Sequence, residues 1–154
     1  MKPIIGKSSV TFDPLITGPA APPHTYLGVA QGMLSGLKVL ADASPPPILA
    51  LSLVAAHMLE CLLKAFLSKD GSDADLKNKK VRHNLNALWR MAFEQGLRIS
   101  ETPPSWADRL SSVHNSPYYL RYSTGVHGII LPAVEPMVSE LEALLDLIRE
   151  QIFQ

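Results

Sequence analysis

Arg121 and His127, separated by five residues, lie in the stretch SPYYLRYSTGVHGIILP, residues 116–132. The chemistry open to such a pair is phosphate chemistry. A guanidinium grips a phosphate through parallel N–H donors and stabilises charge that builds on it. An imidazole exchanges protons near neutral pH. Tyr118, Tyr119 and Tyr122 surround the arginine, which leaves a structural role open as well: a planar guanidinium stacked on a phenol ring, tying down a loop. Ligand binding without turnover is a third role. Two common residues meet at this interval by chance often enough that spacing does not choose among the three.

A second polar set recurs as His57, Glu60, Lys64 and Ser68, at spacings of three, four and four. On a helix these stack on one face, which looks at water, at a partner chain or at a site. Glu60 and Lys64 alone make an ordinary i,i+4 pair. A charge on an otherwise apolar helix wants a partner, however, and Arg121 or His83 can supply one across the fold. We therefore expect a buried or interface network of His57, Glu60, Lys64 and His83. Asn84, directly after His83, is a candidate helix cap. The five histidines stand at 24, 57, 83, 114 and 127, with no two at i,i+4. His57 and Glu60 offer two ligands at most, so we expect no metal site. No glycine-rich phosphate loop and no nucleophile elbow occurs, and no cofactor is expected. Lys77, Lys79, Lys80 and Arg82 form the single basic cluster. With Tyr122 they are the expected contacts to a nucleotide or RNA, if one binds; otherwise the cluster is a solvated loop.

The elements that must position these residues read as helices. At 154 residues the chain has the size of one domain. Residues 1–21 are rich in Pro, Gly and Ser and are expected to form an N-terminal arm, with residues 9–12 its one β-like run; residues 22–154 make the domain. Pro22 and Pro23 suit a helix entry, followed by Leu27, Ala30, Leu34, Leu37 and Ala41 at helical spacing. Ser44 is expected to cap a second helix over residues 46–69, terminated by Gly71. A third follows His83 with Leu85, Leu88, Trp89 and Ala92 inward and Gly96 as its stop. A fourth turns Trp106, Leu110 and Val113 inward and breaks at Ser116 and Pro117. The last starts near Pro132 or Pro136 and carries a stripe from Val134 to Ile152 close to a heptad seam. Five helices with almost no strand signal argue for an all-α bundle.

Composition narrows the partners. Fourteen basic residues balance fourteen acidic ones, so any pull on nucleic acid is local. Residues 64–98 carry eight bases against four acids, and residues 132–154 five acids against one base. One cysteine, Cys61, excludes an internal disulfide and a thiolate cluster, and a reducing cytoplasm fits best. Ile48–Leu67 has membrane-spanning length, but His57, Glu60 and Lys64 make it a core helix, and we expect neither membrane insertion nor a secretory signal.

AAHMLECLLKAFL on one helix, KVRHNLNALWRMAFEQG opening the next and YYLRYSTGVH ahead of a C-terminal helix together resemble the HEPN superfamily of small helical bundles, over residues 51–152. The resemblance implies metal-independent RNA cleavage, with Arg121 and His127 matching the family's spaced arginine and histidine, and a homodimer whose paired chains line one cleft. Tyr122 departs from the polar residue common after the arginine. Gly125, Gly128 and Pro132 depart from the family's habit of holding both side chains on one helix. The alternative is a non-catalytic interaction module, such as the partner of a nucleotidyltransferase or another regulatory subunit.

Overall fold

The computed structural model describes residues 22–122, 125 and 127–154; the expected N-terminal arm, with its β-like run, lies outside them. The described residues contain helices α1 (His24–Asp42), α2 (Ile48–Leu67), α3 (Leu85–Glu94), α4 (Ser105–His114) and α5 (Val134–Phe153), a 3-10 turn at Asp75–Lys77, and no strand. The all-α bundle expected from periodicity is the fold.

α2 is its axis, packing against all four other helices. Its Leu- and Ala-rich sequence has high helix propensity and is apolar almost all round, so it can only be satisfied at the centre. Leu51, Ala55, Met58, Leu59, Leu62, Leu63 and Phe66 are fully or almost fully buried. Among the described residues it is also the one helix long and apolar enough to cross a membrane, yet 67% of that window is buried by the surrounding helices. α1 contributes Leu27, Ala30 and Leu37, and α5 contributes Met137, Leu141, Leu144, Leu145 and Ile148.

Local signals set most helix ends. The Pro23 carbonyl accepts the Leu27 amide at 3.0 Å to start α1. α3 stops in a Schellman turn: the Gly96 amide donates to Phe93, the Leu97 amide to Ala92, and Gly96 takes φ +90°. Leu97 then tucks into the core. One boundary differs from expectation. α2 begins at Ile48 with Pro47 as its entry residue, and Ser44 does not cap it. The residue before a proline is disfavoured in the helical region, and residues 43–45 form a bend ahead of the helix.

Candidate functional site

The side of α2 that carries Glu60 meets the entrance of α3 and the end of α4. Glu60 is only 4% exposed. Its Oε1 accepts the Lys64 ammonium at 2.7 Å, and its Oε2 meets His83 Nδ1 at 3.0 Å and His114 Nε2 at 2.7 Å. The i,i+4 spacing brings Lys64 to Glu60, and Ser68 Oγ donates to the Lys64 carbonyl at 2.7 Å one turn on. His114 ends α4 on the face of Trp106 and Leu110, and is 1% exposed.

His83 is placed by the start of α3. Asn84 caps that helix, its Oδ1 accepting the Ala87 amide at 3.1 Å. The next free amide, on Asn86, donates to Ser111 Oγ of α4 at 3.1 Å. Two of the first-turn donors are thus satisfied by side chains, and one of those ties the α3 entrance to α4. That tie fixes His83 opposite His114, edge-on at 5.9 Å between ring centroids. On the other side the Lys64 ammonium lies 5.9 Å from the Tyr26 ring centroid, and the Tyr26 hydroxyl donates to Asp73 at 2.9 Å.

The electrostatics follow from these contacts. Burial pushes the Glu60 carboxyl up, but donors from His114, Lys64 and His83 outweigh it and hold the pKa at about 2. An ionised carboxylate only accepts hydrogen bonds, so both facing ring nitrogens carry protons. When neutral, His83 is therefore the Nδ1–H tautomer with a bare Nε2, and His114 is the Nε2–H tautomer. The His114 Nδ1 lone pair is buried without a partner. His83 Nε2 has no partner among the described residues and is not among the buried unpartnered nitrogens. With 24% of its side chain exposed, this ring reaches the surface while its other nitrogen stays clamped. His57, one turn before Glu60, is half-buried, and desolvation lowers its pKa against the pull of Glu60, with His114 and Arg121 adding to the lowering. The neighbouring Cys61 thiol is pushed up to about 11 by burial and then by Glu60, which leaves it a core side chain rather than a nucleophile.

Beside His83, the Tyr118 ring stands edge-on at 5.9 Å, and the Arg121 guanidinium lies 5.9 Å from the Tyr118 ring centroid. Tyr118 takes φ +66°, an uncommon conformation for an aromatic residue, and its carbonyl accepts the amides of both Arg121 and Tyr122 at 2.9 Å. This strained turn sets Arg121 at the surface on the His83 side of the bundle.

Glu60, His83 and His114 also form a set whose potential metal-ligating atoms lie within 4.8 Å of one another. The sequence points to His57 and Glu60 as two ligands at most; three elements distant in sequence instead bring Glu60, His83 and His114 together. The set is nonetheless built for hydrogen bonds. Its O···N separations of 2.7 and 3.0 Å are those of proton-mediated contacts, Lys64 already neutralises the carboxylate, and His114 Nδ1 lacks the acceptor that normally orients a ligating imidazole.

Of the expected network of His57, Glu60, Lys64 and His83, the last three are joined through Glu60, whereas His57 makes no hydrogen bond to them and its Nδ1 is buried without a partner. The partner of Glu60 across the fold is His83, not Arg121, and Glu60 with Lys64 is a buried pair rather than a surface one. The sequence reading missed His114, although its position four after Leu110 and eight after Trp106 marks it as inward-facing. His127 lies exposed in a bend, with no hydrogen bond or ring contact among the described residues. Lys77 pairs with Asp73 at 3.0 Å, Lys79 and Lys80 are exposed, and Arg82 is partly buried with an unpartnered Nε. Tyr122 is 61% exposed.

Fold and site together define an all-α bundle with a buried carboxylate that clamps one lysine and two histidines, one of them open to the surface. Compared with known protein families, curated proteins and solved structures, the chain matches none of them.

Proposed function

We propose that this chain is a HEPN-like domain that works as a homodimer, binds RNA and cleaves it without a metal ion. Arg121 holds the scissile phosphate, while Lys79, Lys80 and Arg82 hold its neighbours. The observation that carries this reading is the run Arg121, Tyr118, His83, Glu60: a solvent-facing guanidinium, a ring beside it, and an imidazole braced by a buried carboxylate. A cation that can grip phosphate and a ring that can exchange a proton are what RNA transesterification asks of a protein. The resemblance assigns proton exchange to His127.

The test is incubation of purified protein with labelled single-stranded RNA in EDTA, alongside Arg121→Ala and a Lys79→Ala/Lys80→Ala variant. Cleavage that survives chelation, falls with Arg121→Ala, and in the double variant is weaker and less salt-dependent than in the unaltered chain is the expected result. Val39 and Leu49, 71% and 53% exposed, favour a second reading, a non-catalytic module that presents an apolar surface to another protein. Absence of both cleavage and salt-dependent RNA binding would select it.

A further inference from the structure

We infer that His83, rather than His127, is the group that takes the proton from the 2′-hydroxyl, and that Glu60 is the positioning residue that aims it. The inference deepens the ribonuclease reading and rests on it. Four observations lead there. Glu60 accepts from His83 Nδ1 at 3.0 Å, which fixes the tautomer and turns bare Nε2 away from the carboxylate. The ring is a quarter exposed, so Nε2 meets what binds at the surface. Asn84 and Ser111 lock the backbone that carries it. The Tyr118 ring stands edge-on to it at 5.9 Å, and the Arg121 guanidinium lies 5.9 Å from the same Tyr118 ring. His127 has none of these supports among the described residues.

The reaction balances within the site. His83 Nε2 accepts the 2′-hydroxyl proton as O2′ bonds to phosphorus. The bond from phosphorus to O5′ breaks, and the departing oxygen takes a proton from water. Protonated His83 returns its proton to the hydroxide so formed, leaving a 2′,3′-cyclic phosphate, a 5′-hydroxyl and the starting ring. The titratable groups in contact with that ring are Glu60 from α2, His114 from α4 and Tyr118 after α4, with Lys64 sharing the Glu60 carboxylate, Arg121 against Tyr118 and Arg82 preceding His83 in sequence. Glu60 is the acid among them, and it is also the group that stabilises His83 once protonated.

The experiment compares His83→Gln, His83→Ala and His127→Ala with the unaltered chain, on single-stranded RNA in EDTA. Glutamine can still donate to Glu60 but cannot carry a proton through the reaction. His83→Gln is expected to slow cleavage by about 100-fold or more, the range of a lost general base, while RNA affinity stays within about threefold. His83→Ala should regain part of its rate with added imidazole, a rescue that a purely structural histidine would not show. Long-range 1H–15N spectra should show the Nδ1–H tautomer for His83, and its ring signals should move on titration with uridine 3′-monophosphate. Cleavage lost in His127→Ala but kept in His83→Gln overturns this assignment and leaves the ribonuclease reading standing. A wild-type chain that does not cleave overturns both, as does cleavage that stops in EDTA.

Discussion

His83 and His127 carry the same ring and stand in opposite mechanical situations. His83 is held by a carboxylate from α2, a neighbouring ring from α4, a capped helix start and the Tyr118 ring. His127 lies exposed in a bend, close to glycines at 125 and 128. An exposed imidazole without a side-chain brace samples many orientations, and each productive geometry costs entropy at the moment of reaction. A ring fixed before the substrate arrives avoids that cost. The difference between the two regions is therefore one of preorganisation, and it comes from burying a charge: Glu60 can be desolvated only if several donors converge on it, and their convergence is what orders His83.

The comparison breaks most decisively at Glu60. Glu60→Ala leaves the Lys64 ammonium, 7% exposed, and two ring N–H groups without their acceptor. Losing one partner of a buried ion pair costs about 3–5 kcal/mol, so this variant should lie near the limit of folding, as read by urea or thermal unfolding. An exposed-loop variant should not approach this loss.

Acid titration probes the same contrast more gently. Glu60 has its folded pKa lowered from 4.5 to about 2, so its contribution is fully present above the unfolded value and is lost as pH falls towards 2. At about 1.4 kcal/mol per pH unit, the full loss is about 3 kcal/mol. His57 is also depressed, from 6.5, so its smaller contribution begins to fall as the pH drops below that value. Unfolding free energy should thus decline in two stages. Asp73 and Glu150 are lowered too, by Lys77 with Tyr26 and by Arg98 respectively, which makes the difference between the unaltered chain and Glu60→Gln the quantity to measure. The second stage should shrink in Glu60→Gln; an unchanged acid limb would mean that Glu60 does not hold His83 as an ion.

Asn84→Ala attacks the contrast from the side of helix α3. Removing the cap costs about 1 kcal/mol and releases the amide of Ala87, one turn from His83. In the His83 ring spectrum the line should broaden as its brace loosens, while His127 stays as it was.

Most of the frame is legible in the sequence because helix periodicity and stops are local signals. The apolar circumference of α2, the Asn84 cap and the Gly96 stop each rest on a few neighbouring residues. The start of α2 is less legible: Ser44 and the prolines at 45–47 read as a cap and entry for a helix from residue 46, whereas it begins at Ile48 with no side-chain cap. The stripe from His57 to Ser68 announces a polar face and leaves Arg121 and His83 open as its partner, without pointing to His114. His83 and His114 lie 23 and 54 positions from Glu60, and only the packing of α3 and α4 against α2 closes that distance. The Arg121 and His127 pair was conspicuous because it is near in sequence, and nearness in sequence says nothing about which ring is braced.

His127→Ala is the smallest change and the sharpest control on stability. The side chain is exposed, with no hydrogen bond among the described residues, so unfolding free energy should shift by no more than about 0.5 kcal/mol. Arg121→Ala should cost little more, since among the described residues its one ring contact lies 5.9 Å from the Tyr118 centroid and the arginine side of it is exposed to solvent. A loss above about 1 kcal/mol at His127, measured by denaturant unfolding at neutral pH, would mean that this ring is braced after all. The asymmetry between the two imidazoles would then disappear, and with it the mechanical reason for preferring His83.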